Sequence, residues 1–216
     1  FWHKFLYDIK VVSTKEPFKK LVHVGLILAE DGRKMSKRWN NVINPNDVIE
    51  KFGADSIRLY EMFMGPFTQS VAWSTDGIKG TRKFLEKIWK FQNKLGSVAD
   101  KKVTSLTHKT IKKVGQDIEN FRFNTAVSAM MILANDMDKS EQVSSEDYEI
   151  FLKILSPFAP HIAEELWEKL GHKESIFKES WPDYNPDLVK DEEIELVIQI
   201  NGKLRDKTRV AADISE

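Results

Sequence analysis

Asp31-Gly32-Arg33-Lys34-Met35-Ser36-Lys37-Arg38-Trp39-Asn40-Asn41 sets four cations and a hydroxyl beside a glycine turn. The run before it, Leu21-Val22-His23-Val24-Gly25-Leu26-Ile27-Leu28-Ala29, is apolar, and Pro45-Asn46-Asp47 behind it reads as a helix start. The basic segment therefore joins an expected strand to an expected helix. A Lys-x-Ser-Lys tetrapeptide recurs by accident, and taken alone it is a solvated basic turn. Between a strand and a helix it gains a second reading, a loop whose lysines and serine reach a polyphosphate. Lysine suits that task because its ammonium is a compact charge on a flexible stem, able to follow phosphate oxygens as charge shifts.

Working outward, Asp47-Val48-Ile49-Glu50 has the N-cap and N3 acid of a capping box, and Gly53 supplies the stop. Asp55 is expected to cap a second helix carrying Ile57, Leu59, Tyr60, Phe63 and Met64, ended by Gly65-Pro66. Upstream, Phe1, Trp2, Phe5, Leu6 and Ile9 fall on one helix face, expected to be core, with His3 a structural residue among them. His23 is read as part of a buried strand.

From Gly77 the texture changes to long amphipathic helices. Over about Ile78 to Val98, Phe84, Leu85, Ile88, Phe91 and Leu95 fall on one side, whereas Lys79, Lys83, Lys87, Lys90 and Lys94 form a stripe on another. Between Gly77 and Gly115 eleven lysines and arginines face two acids, Glu86 and Asp100. Such a run is either a solvated face or a surface for a polyanion. Further helices are expected at about Thr107 to Glu119, Phe121 to Met137, Glu146 to Leu155 and Phe158 to Leu170, which together make an antiparallel bundle. After a polar connector, Ile194, Leu196, Ile198 and Ile200 alternate with other residues up to Asn201-Gly202, a hairpin signal. Lys203, Arg205, Lys207 and Arg209 follow on one face, and a bulge is expected to reconcile the two strands.

Lys34-Met35-Ser36-Lys37-Arg38 resembles the Lys-Met-Ser-Lys-Ser signature of class I aminoacyl-tRNA synthetases. Phe1-Trp2-His3-Lys4-Phe5-Leu6-Tyr7-Asp8, Asn41-Val42-Ile43-Asn44-Pro45, Phe52-Gly53-Ala54-Asp55-Ser56-Ile57-Arg58-Leu59, Glu61-Met62-Phe63-Met64-Gly65-Pro66, Ala72-Trp73-Ser74 and Ser156-Pro157-Phe158-Ala159-Pro160-His161 are similar to that family in the same order, most of all to bacterial-type leucyl-tRNA synthetases. The resemblance implies a mainly α chain: the end of a class I Rossmann catalytic domain over 1–76, an antiparallel helix bundle of the anticodon-binding type over 77–175, a connector over 176–192 and, over 193–216, the β-hairpin opening a small C-terminal α/β tRNA-binding domain. It also implies that Lys34 and Lys37 are catalytic and, with Met35 and Ser36, contact ATP, with Mg2+ accompanying it. The tRNA(Leu) contacts would be Lys79, Lys83, Lys87, Lys90, Lys94, Lys203 and Arg205, and leucine the amino-acid substrate. Arg38 and Asn40 depart from the family, which has serine and often glycine there.

Composition neither adds to this nor opposes it. Lysine plus arginine equals aspartate plus glutamate at 33 each, so any nucleic-acid surface must come from local asymmetry. The absence of cysteine excludes disulfides and thiolate zinc sites in this segment. No run approaches the roughly 18 apolar residues of a membrane span. A cytoplasmic monomer with no metal site of its own is expected. The missing His-Ile-Gly-His-type motif and the opening Phe-Trp-His predict a C-terminal piece that does not aminoacylate alone. A noncatalytic tRNA-binding module, and a piece of a valyl or isoleucyl enzyme, are the other readings.

Overall fold

The computed structural model describes residues 1–190, 193–200 and 203–211. It begins with a short helix, α1 (Trp2–Asp8), followed by an extended segment that ends in β1 (Ile27–Leu28). The basic loop comes next and contains one 3-10 turn, Lys37–Trp39. Then α2 (Pro45–Phe52) and α3 (Ala54–Phe63) meet at Gly53, whose φ of 88° provides the sharp corner. β2 (Val71–Ala72) returns to pair in parallel with β1, Ile27 opposite Val71 and Leu28 opposite Ala72.

This first part is organised by a small cluster of Val48, Ile57, Tyr60, Trp73 and Ile78, against which Met35, Ile43 and Phe52 pack. Tyr60 and Trp73 meet edge to face at 4.9 Å. The Tyr60 hydroxyl accepts the Ser74 backbone N–H at 2.7 Å, and burial raises its phenol above the ordinary value. These contacts hold the start of α4 (Thr75–Phe91), where Ser74 is the N-cap and accepts the Gly77 N–H.

A 3-10 turn at Gln92–Lys94 leads from α4 to β3 (Leu95–Gly96). Two long helices follow, α5 (Lys101–Glu119), capped by Asp100, and α6 (Phe123–Lys139). β4 (Val143–Ser144) pairs in parallel with β3, and Ser144 caps α7 (Ser145–Leu155). α8 (Pro160–Lys169), with proline at its first position, precedes a 3-10 turn at Ile176–Lys178 and the short α9 (Pro186–Val189). The main core runs through α4 to α8 and is built from Ile88, Phe91, Val114, Met130, Leu133, Phe151 and Leu155, all sealed from solvent. Tyr148 lies among them and donates its hydroxyl to the Ile88 carbonyl at 3.0 Å.

Finally β5 (Glu193–Ile200) and β6 (Lys203–Ala211) form an antiparallel hairpin. Ile200 pairs with Lys203 and Gln199 with Leu204, after which the register shifts so that Ile198 faces Asp206 and Glu195 faces Arg209. The expected bulge is there, at Arg205. The Asn201-Gly202 turn lies outside the described residues.

Several local expectations are corrected. The cap of α2 is Asn44, not Asp47: Asn44 accepts the Asn46 N–H at 3.1 Å with Pro45 at the first helical position, so the helix begins three residues early. Asp55 does not cap its own helix, whose N-cap is Gly53. Its carboxylate accepts instead from the backbone N–H groups of His161 (3.4 Å) and Ile162 (2.8 Å), at the start of α8. Arg58, one turn on, donates to the carbonyls of Pro157 and Phe158. The expected strand over Leu21–Ala29 narrows to two residues because only Ile27 and Leu28 are in register with β2, and His23 is exposed. The aromatic face of α1 is likewise uncovered, with Trp2 71% and Phe5 45% exposed, since no described element packs on it.

Candidate phosphate loop and cationic helix face

The basic loop is a tied structure. Its first half is a tight turn: Ala29 donates to the Arg33 carbonyl, Gly32 to the Ala29 carbonyl, and Gly32 takes a φ of 76° that its missing Cβ permits. Leu28 and Lys34 bridge across it. Asp31 receives the Arg33 guanidinium through Nε at 2.8 Å and Nη2 at 2.6 Å, which holds its carboxyl below the ordinary value. Glu30 accepts from the Thr75 hydroxyl at 2.7 Å, binding the root of the turn to the start of α4.

The second half is held by side-chain caps. Asn41 Oδ1 accepts the Ser36 N–H at 2.8 Å, and Asn41 Nδ2 reaches the Lys34 carbonyl at 3.5 Å. Ser36 Oγ accepts the Arg38 N–H at 3.2 Å and so caps the 3-10 turn. Asn40 then closes the turn in the left-handed region, φ 49° and ψ 35°. That conformation accounts for the position: glycine adopts it freely, and asparagine is among the few other residues that tolerate it. Met35 is half-buried against the Tyr60 and Trp73 cluster and anchors the loop from below. Lys34, Lys37 and Arg38 are exposed. The loop thus presents two lysine ammoniums on a backbone fixed by its own side chains, an arrangement suited to stabilising polyphosphate charge without reorganisation.

A cavity of about 550 Å³ lies beside the loop, lined by Glu30, Asp31, Asn41, Asp47, Lys51 and Trp73 among others. Three carboxylates against one ammonium make it a poor phosphate site. Phosphates would meet the loop on its lysine side.

The lysine stripe on α4 divides in two. Lys87 donates to Asn135 Oδ1 at 2.7 Å and pairs with Asp138 at 3.2 Å, both on α6. Lys94, just beyond the helix, gives its three donors to the carbonyls of Met137 (2.8 Å), Asp138 (2.8 Å) and Ser140 (3.0 Å). It caps the C-terminal end of α6, where a cation meets both the unpaired carbonyls and the negative end of the helix dipole. Lys79 pairs with Asp76 in solvent. Lys83 and Lys90 are exposed and make no hydrogen bond or ion pair among the described residues. Arg205 is exposed on β6, while the side chain of Lys203 lies outside the described part.

Sequence reasoning missed Asn41 as the loop's clamp, although an Asx side chain beside a turn is a recognised backbone acceptor. It also missed Asp55 and Arg58, which fasten α3 to the segment entering α8. No local signal could have revealed a partner about a hundred positions away.

Comparison with known proteins agrees with this geometry. Residues 1–74 match the tRNA synthetases class I (I, L, M and V), and residues 100–216, more than half the chain, match the anticodon-binding domain of tRNA ligase. The agnB2 LeuRS of Agrobacterium radiobacter K84, solved in a ternary complex with tRNA and LeuAMS, superposes on the whole chain with a TM-score of 0.81 at 31% identity. The methionyl-tRNA synthetase of Mycobacterium tuberculosis, in complex with methionyl-adenylate, shares the fold over 79% of the chain with a TM-score of 0.53 at 19% identity. The chain spans 31% of the first protein and 41% of the second. It is a class I tRNA synthetase chain of the I, L, M and V group, pairing the end of the catalytic domain with the anticodon-binding domain.

Proposed function

We propose that this chain is the segment of a leucine-tRNA ligase that supplies the ATP-phosphate loop and the helices that carry tRNA(Leu). The observation that carries the reading is the Lys-Met-Ser-Lys turn, held in one geometry by Asn41 and Ser36 with Lys34 and Lys37 exposed. It supports the choice of leucine that the chain is 31% identical over its full length to a LeuRS. In this reading leucine and ATP form leucyl-adenylate and pyrophosphate, and the leucyl group then passes to tRNA. Lys37, seconded by Lys34, neutralises the negative charge that builds on the departing pyrophosphate. Such preorganised charges contribute about 3 kcal/mol each to barriers of this type. Ser36 fixes the turn, and Met35 sets the height of the loop above the cluster beneath it.

Magnesium would arrive on the phosphates of ATP. The loop offers cations rather than oxygen ligands, and among the described residues no three His, Cys, Asp or Glu side chains gather where a metal ion could sit. The exposed lysines Lys83 and Lys90 are the front of the tRNA surface, with Arg205 and Lys203 of the hairpin as a second contact. Functionally the chain divides at the start of α4, with catalysis before it and tRNA carriage after it. No described helix is long and apolar enough to cross a membrane, and we assign the ligase to the cytoplasm as a monomer. The test is ATP–pyrophosphate exchange by the full-length ligase with leucine, isoleucine, valine and methionine in turn. Exchange driven by leucine supports the reading; exchange driven preferentially by another of the four overturns the choice of amino acid.

A further inference from the structure

Trp39 ends the 3-10 turn of the phosphate loop and is 51% exposed. A lone exposed tryptophan needs no explanation, but this one has a built surround. The Arg33 guanidinium lies 4.9 Å from its ring centroid and that of Arg38 5.2 Å. Arg33 is held in place from behind by its two bonds to Asp31. From Asp31 to Asn41, Asp31 is the sole acid and is paired with Arg33, so the segment itself carries a net positive charge. Beyond the ring, Asn40 and Val42 are exposed.

The geometry points to Trp39, with its two guanidiniums, as a stacking platform for an unpaired base at the 3′ end of tRNA. Aromatic rings and guanidinium planes take bases by their faces while neighbouring cations take the phosphates, and only unpaired nucleotides have free faces to offer. If Lys34 and Lys37 hold the phosphates of ATP, the 3′ end is the part of tRNA that must approach this loop to be charged. The inference rests on the function proposed above. Arg38 and Trp39 would then have a common purpose, because the residue that replaces the family's serine is one of the two that flank the ring.

The test is binding of the 216-residue chain to intact tRNA(Leu) and to the same tRNA trimmed of its unpaired 3′ nucleotides, by fluorescence anisotropy at fixed salt. The wild-type chain should bind the intact form about ten-fold more tightly, the order expected of one stacked base. Trp39→Phe should keep that preference. Trp39→Ala should abolish it and leave affinity for the trimmed tRNA unchanged, with an unaltered circular-dichroism spectrum. Excess ATP should leave the preference in place. Equal binding of the two tRNAs by the wild-type chain sinks the platform while leaving the proposed function standing. Loss of the preference in ATP assigns the ring to adenine and overturns the inference. Binding to neither tRNA removes both the inference and the tRNA reading beneath it.

Discussion

The side-chain carbonyl of Asn41 accepts the backbone N–H of Ser36 at 2.8 Å, closing the lysine loop from a position five residues downstream. Because the same amide also reaches the Lys34 carbonyl, one residue fixes the backbone on either side of Met35. Preorganisation of the two lysines follows from this clamp. In the full-length ligase, Asn41→Ala should lower kcat for leucine-dependent pyrophosphate exchange about ten-fold or more, the scale expected when catalytic groups lose their orientation. The KM for leucine should stay near wild type. Steady-state kinetics at varied leucine would separate the two, and an unchanged kcat would show that the loop does not depend on its clamp.

Asn40 makes a simpler prediction. Its φ of 49° costs most residues about 1–2 kcal/mol. Asn40→Gly should leave the chain as stable as before, whereas the β-branched Asn40→Val should lose roughly that amount locally and open the turn. Hydrogen exchange at the amide of Asn40, which donates to the Lys37 carbonyl at 3.3 Å, would report it.

Asp55 joins the two parts of the chain. Its carboxylate takes the Ile162 N–H at 2.8 Å and faces the His161 ring nitrogen at 2.8 Å. Asp55→Ala would leave those amides without an acceptor in a half-buried site and should cost about 1–3 kcal/mol in urea unfolding. Equal midpoints for variant and wild type would mean that packing and the Arg58 hydrogen bonds hold the start of α8 without Asp55.

The stripe on α4 yields a contrast between lysines of similar sequence appearance. Lys94→Ala removes the cap from the end of α6 and should destabilise the chain by about 1–2 kcal/mol. Lys83→Ala and Lys90→Ala should leave stability unchanged and each lower the salt dependence of tRNA binding by about one phosphate contact. Urea melts paired with a binding series across salt would distinguish these outcomes. A Lys94 variant as stable as the Lys83 one would contradict the division.

Asp136 gives the pH dependence a sign. Its carboxyl is held below the ordinary value, first by the hydrogen bond from Lys139 and then by the charges of Lys102 and Lys139. Because the folded-state value is the lower one, the stabilisation is complete above the ordinary aspartate range, about pH 4, and fades as pH falls through the folded value. The gap in urea midpoint between wild type and Asp136→Asn should therefore be present at neutral pH and close in acid.

What the residues disclosed in advance was whatever local physics controls. The apolar period of Phe84, Leu85, Ile88 and Phe91 placed the buried face of α4, and each of those side chains is buried. Alternation on either side of Asn201 placed the hairpin and its irregularity. The errors came where a distant partner outbid the local one. Asp55 has the residue type and position of an N-cap, but the amides of α8 claim it. Lys87 and Lys94 have the spacing of an outward stripe, yet α6 ends within their reach. The face of α1 has a core's composition, with Trp2 and Phe5 left exposed. Within the loop, Lys34, Ser36 and Lys37 were legible as a motif, whereas the way Asn41 holds them needed coordinates.

The most direct measurement of the central claim is leucine-dependent ATP–pyrophosphate exchange by the full-length ligase carrying Lys37→Ala, with Lys37→Arg alongside to keep the charge. If the loop stabilises phosphate charge in the transition state, Lys37→Ala should lower kcat by roughly a hundredfold or more, and Lys37→Arg should recover part of it. A Lys37→Ala enzyme that exchanges at the wild-type rate would contradict the account.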